Sequence, residues 1–396
     1  MWVKPRRIRS TLWRQGIRGP KPSFLYGNIQ EMKNIQSVLV NDQASQPAVS
    51  HNTWVKSIFP YLHLWAQKYG SIYMYSTGNK QHLYIGQPEL LKELNLHKSL
   101  DLGKPTYLSK SMEPMLGDGI IKANGPYWAY QRKLIAPEFF LHKAKHMLGL
   151  MEESVMAMIR TWLSQVEING GVADITVDKD LKRVSADIIS KACFGHETTA
   201  LTASWSLMLL ALYPEWQERI RAEIFDICGD DRDCFQDLDK LRQLKSLTMV
   251  IQETLRLYGP AVITSREAFA DLRVGDLTVP KGTIIWISVM ALHRDPENWG
   301  PDADEFKPER FAGGVAEACK YPQSYIPFGF GSRLCVGQTF AMLELKILLR
   351  SILSNFSFSL SPEYRHSPVY KMLLAPQHGI RLLARRLQRE NVMTQT

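Results

Sequence analysis

The chain has 396 residues, enough to bury a large core and, on length alone, to form two or three domains. Its 48 basic and 39 acidic residues leave a net charge of +9, which suits an acidic protein partner or an anionic membrane surface. No basic block is interleaved with aromatic residues, so nucleic acid is set aside as a partner. The cysteines (Cys193, Cys228, Cys234, Cys319 and Cys335) are odd in number and widely spaced, which argues against a disulfide framework and for a reducing compartment. No CxxC pair is present for structural zinc, and no stretch reaches the roughly 20 apolar residues of a membrane span.

The first residues, MWVKPRRIRSTLWRQG, are basic with two tryptophans and lack the apolar core of a signal peptide. They read as a solvated arm, with contact to a membrane surface as the alternative. Ile17 to Asn28 is rich in proline and glycine and reads as an extended linker. Periodicity predicts a helix from Thr53 to Tyr69, then strands over Ser71–Thr77 and Gln81–Gly86. Pro88 opens a further helix in the first-turn position that proline tolerates. Helices are expected after Asn124, from Ala144 to Val166, from Pro214 to Ile227 and from Leu238 to Tyr258. Leu272 to Val289 reads as strand, turn, strand with Pro280-Lys281-Gly282 at the turn, and FSFSLS and GIRLLARR are strand-like. No repeat or low-complexity tract is present. The expected class is mainly α with small β-sheets (α+β).

The most informative stretch is PFGFGSRLCVGQTFAMLE, Pro327 to Glu344. Gly329, Gly331 and Gly337 keep a loop thin around Cys335, and an amphipathic helix is expected to follow it. A thiol at a helix N-terminus, two residues after Arg333, ionises easily, because dipole and cation both favour the anion. A thiolate aimed at a flat partner is what a haem iron takes as axial ligand. The bland alternative is a buried cysteine before a core helix. A dinucleotide loop is excluded by the glycine spacing.

The spacing Phe328-Gly329-x-Gly331-x-Arg333-x-Cys335-x-Gly337 resembles the haem-binding signature of the cytochrome P450 family, with every fixed position filled. The resemblance implies heme b (iron protoporphyrin IX) with Cys335 as the iron ligand. It also gives meaning to pairs that are weak alone. Glu253 and Arg256 in ETLR share a helix face, and a surface ion pair would be the ordinary reading. With Arg310 of PERF, the resemblance makes them the buried ion network that braces the haem loop. Trp128 and Arg132, four apart, match residues that bind a haem propionate, as do Arg266 in TSREA and Arg333; an arginine fork suits a carboxylate. LHRDP, Leu292 to Pro296, is a further family landmark. In GHETT, Gly195 to Thr199, the resemblance makes Glu197 and Thr198 the catalytic pair that relays protons to dioxygen, against the alternative of a polar notch in a core helix. A zinc HExxH motif is excluded because Ala200 stands where the second histidine would be.

Two departures from the family pattern stand out. The usual membrane anchor is not seen before the proline-rich hinge. Arg132 and Thr198 are only 66 positions apart (198 − 132), where a complete member carries about a hundred more. KACFGHETTA reads as a splice, and Phe194 takes a place normally held by Ala or Gly over the haem. If the helix keeps its register, that benzyl group would fill the oxygen pocket. The expected organisation is a basic, Pro/Gly-rich hinge over residues 1–30 and a monooxygenase domain over 31–396 with an internal deletion near 194–196.

RGPKPSFLYGN and LYPEWQERIRAEI resemble the plant clan that includes gibberellin-oxidising members. The implied function is haem-dependent insertion of one oxygen atom of O2 into an apolar small molecule, a diterpenoid hormone such as a gibberellin being the candidate. Electrons would come from NADPH through NADPH-cytochrome P450 reductase. The implied location is the cytosolic face of the endoplasmic reticulum membrane. The alternative is a catalytically impaired or inactive shortened isoform; a haem sensor without oxygenation is a third reading.

Overall fold

A computed structural model describes residues 3–43, 54–111, 113–140, 143, 145, 147–192, 196–229 and 237–387. The chain forms two compact units. The first comprises Met1–Pro137, Ala261–Glu305 and Val315–Val336; the second comprises Glu138–Pro260, Phe306–Gly314 and Gly337–Thr396.

The first unit is built on a five-stranded sheet. Its spatial order is Ile72–Thr77, Lys80–Ile85, Thr283–Ser288, Ile263–Ala268, Leu102–Gly103. Neighbours pair antiparallel except Lys80–Ile85 with Thr283–Ser288, which run parallel. Both faces are buried, and side-chain alternation sorts them. Met74, Leu83, Ile85, Ile285 and Ile287 fill an aliphatic face. Tyr73, Tyr75 and Tyr84 turn the other way, onto Tyr61 and Trp65. Tyr73 and Tyr84, paired across the first hairpin, stack with centroids 4.6 Å apart.

The aliphatic face is covered by elements that position the cysteine loop. Helix Pro88–Leu96 contributes Leu91 and Leu94, and the loop itself contributes Ile326 and Phe330. Helix Val3–Arg14 adds Ile8 and Leu12 to the same core, so the basic N-terminus is a packed element and not a solvated arm. Ile17–Asn28 is equally tied down: the Met74 amide donates to the Arg18 carbonyl at 2.9 Å, and Gly27 bridges Thr77.

Three boundaries differ from the sequence expectation. Phe59-Pro60 divides the expected Thr53–Tyr69 helix, because proline opens Pro60–Tyr69 anew. Leu244 splits Leu238–Tyr258, ending one helix at Gln243 and starting another at Lys245. Leu272–Val279 makes its own small hairpin about Gly275-Asp276, so Pro280-Lys281-Gly282 joins two different sheets.

The second unit is mainly helical, with a three-stranded sheet of Val172–Thr176, Arg381–Arg386 and Phe356–Leu360. Helix His196–Leu212 runs through its centre: every residue from Thr199 to Leu210 is buried. A helix apolar on all sides belongs in a core. Its polar residues satisfy themselves, as Ser204 and Ser206 donate to carbonyls one turn back at 2.6 and 2.9 Å. Helix Gln338–Leu353, expected to be amphipathic, is also buried nearly all round beyond Phe340. Cys228 is disulfide-bonded, which departs from the expectation of reduced thiols.

Leu12 is fully buried, so Leu12→Ala should lower stability by about 2–5 kcal/mol in urea unfolding. A solvated arm would give a change within about 0.5 kcal/mol.

Candidate functional site

The loop that carries Cys335 is fixed at its entrance, its waist and its exit. At the entrance the Ile326 amide donates to Nε2 of buried His293 at 2.9 Å. This gives a physical role to the LHRDP motif: His293 holds the loop, Arg294 pairs with Asp304 at 2.8 Å, and Asp295 caps Pro296–Trp299. At the waist Gly331 lies at φ +63°, and its amide donates to Asn95 Oδ1 at 2.7 Å. Gly329, at φ +80°, likewise needs the left-handed region that side chains avoid. At the exit the Cys335 amide donates to the Phe328 carbonyl at 2.9 Å, closing the loop on itself. Phe330 points inward as the root, and Cys335 is exposed. Gly337 caps Gln338–Leu353 with φ −91°, where any residue would be tolerated.

Around Trp128 the first unit gathers four cations. Arg333 lies 3.9 Å and Arg132 5.6 Å from the Trp128 ring centre. Arg266 reaches over the Phe330 ring at 4.8 Å. Lys104, a half-buried residue, feels both Arg266 and Arg333. Their hydrogen bonds go to neutral acceptors: Arg132 to the Leu334 carbonyl, Arg266 to Thr264 and the Ser265 carbonyl, Arg333 to the Ala123 carbonyl and Asn124 Oδ1, all at 2.7–3.0 Å. No ion pair among the described residues joins any of the four to a carboxylate. Burial and mutual repulsion show in their acidities. Burial pushes Arg266 down to about 10. Burial, then Arg266 and Arg132, pushes Arg333 down to about 10. Burial, then Arg266 and Arg333, pushes Lys104 down to about 8. Burial also lowers Arg132, and there the Cys335 charge acts in the opposite direction. The sequence suggested Arg333 as the cation beside the thiolate. In the structure both Arg132 and Arg333 lie over Trp128, and the Cys335 charge registers on Arg132.

The second unit holds the other candidates. Arg256 grips Glu253 with two hydrogen bonds, 2.6 and 2.7 Å, both side chains fully buried. The Lys307 amide donates to the same carboxylate at 2.8 Å, and Arg310 lies 3.5 Å from it. A buried carboxylate survives only with this many partners. Glu197 and Thr198 sit exposed on the first turn of His196–Leu212, rather than midway along a longer helix. Gly195 and Phe194 lie outside the described residues.

Sequence reading assigned no individual role to Lys104, Asn124, His293 and Glu344. Asn124 joins two segments: its Oδ1 accepts from the Lys104 amide at 2.7 Å, and its Nδ2 donates back to the Lys104 carbonyl at 2.9 Å. A Cβ on Gly103 would come within 2.4 Å of that Oδ1, which explains the glycine. A helix-capping signature would have drawn attention to Asn124 alone. Nothing local marks a single lysine or a core-helix glutamate.

The cytochrome P450 family pattern matches residues 45–196 and 195–384. Cytochrome P450 714A2 of Arabidopsis thaliana is 41% identical over 493 aligned positions, covering 96% of this chain and 93% of that protein. Cytochrome P450 714C2 of Oryza sativa subsp. japonica is 40% identical over 496 positions, covering 98% and 94%. Cytochrome P450 714D1, also of rice, is 34% identical over 534 positions, covering 100% and 92%. The chain belongs to the cytochrome P450 family. Members are haem-dependent monooxygenases supplied with electrons by a redox partner, and the α+β architecture described above is theirs.

Glu253→Ala should destabilise by about 3–5 kcal/mol, since two arginines would lose the carboxylate they share; chemical denaturation measures it. Arg266→Met removes a repulsive neighbour from Lys104, whose amine should then titrate above its present value of about 8. Reductive-methylation NMR of the labelled amine checks this; an unmoved titration would show that burial alone sets it.

Proposed function

We propose that this chain is a haem-thiolate monooxygenase in which Cys335 would ligate the haem iron and the cations about Trp128 and Phe330 would hold the haem carboxylates. The observation that carries the reading is the gathering of Lys104, Arg132, Arg266 and Arg333, the three arginines over aromatic rings, in the unit that holds the exposed Cys335. Haem fits this donor set: it brings two carboxylates for the cations, a flat face for the aromatic rings and an iron for the thiolate. When bound, haem supplies the redox chemistry that activates dioxygen.

The remaining work falls to the chain. Arg132 favours the Cys335 thiolate through its charge. Arg266 and Arg333 would hold the carboxylates of the bound group, with Phe330 backing the first guanidinium and Trp128 the second. Phe328 holds the Cys335 amide through its carbonyl. Glu253, Arg256 and Arg310 fix PERF against the ETLR helix. Glu197 and Thr198 would be the carboxylate and hydroxyl through which protons pass toward the bound cofactor.

The substrate class is an apolar small molecule, and a diterpenoid hormone such as a gibberellin is the specific candidate. Electrons come from NADPH through a flavoprotein reductase, whose docking the +9 charge suits. The cytosolic face of the endoplasmic reticulum membrane is the proposed location. No helix among the described residues is long and apolar enough to cross a membrane. A surface does suit a bilayer face: Lys4, Arg6, Arg7, Arg14, Arg18 and Lys21 are exposed, and no acidic residue precedes Glu31. Beside them the mutual Ser23–Gly27 hydrogen bonds clamp a turn that exposes Phe24, Leu25 and Tyr26.

One observation favours a second reading, an impaired shortened isoform. The alignment to the Arabidopsis protein runs over 493 positions against 396 residues, so at least 97 (493 − 396) face no residue of this chain. The family match divides at residues 195–196, next to Phe194. Loss of that segment would remove substrate-contacting surface while leaving the cysteine loop.

A reduced carbon-monoxide difference spectrum of the purified chain separates the readings. The monooxygenase reading expects a strongly red-shifted Soret band that Cys335→Ser abolishes. Absence of haem, or a band unaffected by Cys335→Ser, would overturn it in favour of the shortened, inactive form.

A further inference from the structure

Asn124 has no part in the function proposed above, yet it meets every segment that carries the cation cradle of Lys104, Arg132, Arg266 and Arg333. Its Oδ1 accepts from the Lys104 amide at 2.7 Å and from Nη2 of Arg333 at 2.8 Å. Its Nδ2 donates to the Lys104 carbonyl at 2.9 Å. Its own carbonyl accepts from the Trp128 amide at 3.3 Å, in the first turn of the helix Gly125–Ile135 that carries Arg132. Gly103, the neighbour of Lys104, pairs with Glu267 beside Arg266. One half-buried residue thus touches three of these segments directly and the fourth through a strand pairing.

An asparagine just before a helix ordinarily turns its side chain onto the amides of the first turn. Asn124 stands at that position, with extended backbone at φ −131° and ψ 167°, and makes no such bond. Its amide serves Lys104 and Arg333 instead. The pairing demands an amide: the Lys104 N–H and the guanidinium can only donate, and the Lys104 carbonyl can only accept. An aspartate would set a charged oxygen against that carbonyl and would neutralise Arg333. A serine, one bond shorter, would not span the same partners. Arg333 therefore gains a direction and keeps its charge. Its Nη1 donates to the Ala123 carbonyl at 2.7 Å and its Nη2 to Asn124, while its guanidinium carbon lies 3.9 Å from the Trp128 ring centre. A guanidinium has five N–H donors, so others remain for an anion.

We propose that Asn124 is the positioning residue of the cradle: its neutral amide ties Lys104 to Arg333 and aims the guanidinium without discharging it, which leaves the positive charge to a carboxylate ligand. That the ligand is a haem rests on the monooxygenase reading; the hold of the amide on the two residues does not. A plain staple between loops would need only the two bonds to Lys104 and would be indifferent to the charge of the ligand. The bond to Arg333 goes beyond a staple, and it makes the neutrality of residue 124 part of how the cradle selects an anion.

Fluorescence titration of the full chain with metal-free protoporphyrin IX, and with its dimethyl ester, tests the inference. The first probe carries carboxylates but no iron, so Cys335 does not enter the measurement; the second carries neither. The wild type should favour the acid. Asn124→Asp sets a carboxylate against Arg333 and should weaken acid binding roughly 10- to 100-fold while leaving ester binding unchanged. Asn124→Ser adds no charge but releases Arg333, so the preference for the acid should fall there too, and this variant carries the test if Asn124→Asp does not fold. In an Arg333→Met background the effect of Asn124→Asp on the acid should shrink, because the guanidinium it neutralises is gone. An acid preference that survives in either Asn124 variant, or parallel losses of acid and ester, would overturn the inference. A wild type indifferent to the two probes would overturn the cradle and the inference together. A failed carbon-monoxide band beside an intact acid preference would sink the thiolate reading alone and leave Asn124 in its role.

Discussion

Positive charge that no carboxylate among the described residues pairs with is the constraint on which the rest of the site depends. Arg266 and Arg333 depress Lys104, Arg266 and Arg132 depress Arg333, and the hydrogen bonds of the three arginines go to carbonyls, a hydroxyl and an amide oxygen. Protein interiors ordinarily avoid this, because like charges in a poorly solvated place repel strongly. Neutral acceptors keep the guanidiniums oriented without discharging them. The cradle thus stays set for an anion that the chain itself does not supply. Cysteine-loop geometry serves the same end, since Phe330 and the His293–Ile326 bond fix the backbone from which Cys335 and Arg333 project.

The Glu253 cluster is built on the opposite principle. There the charges close on themselves: one carboxylate takes a bidentate arginine, a second arginine and a backbone amide. Such a cluster contributes little net energy compared with apolar packing, but it specifies one arrangement, because each alternative leaves a buried charge bare. One unit therefore holds an open electrostatic site and the other a closed one, and only the open one asks for a ligand.

Much of this was legible in the chain. The cysteine signature announced itself because glycines at 329 and 331 have a backbone reason, and both do take positive φ. Trp128, Arg132, Arg266 and Arg333 were identified one at a time, and the structure brings them to one place. Strand periodicity found the first hairpin because tyrosines alternate with aliphatics along Ile72–Thr77. The N-terminal helix was missed because only Pro5, Ile8 and Leu12 are buried along it amid many cations. Lys104 and Glu344 were missed for a different reason. Each becomes special through residues distant in sequence: Arg266 and Arg333 for the lysine, Ser185 and Thr199 for the glutamate. Local pattern carries no trace of such meetings.

The exposure of Cys335 has a bearing on how the polypeptide is handled. An exposed thiol beside a cation would, once ionised, be a good nucleophile and a good target for peroxide, and its early oxidation products lead on to irreversible acids. Coordination to a metal would then act as a protecting group for the sulfur as well as a catalytic bond. The chain emerging from synthesis faces a race between capture of its prosthetic group and oxidative damage, and a strongly reducing purification buffer would prolong the interval in which reconstitution can succeed.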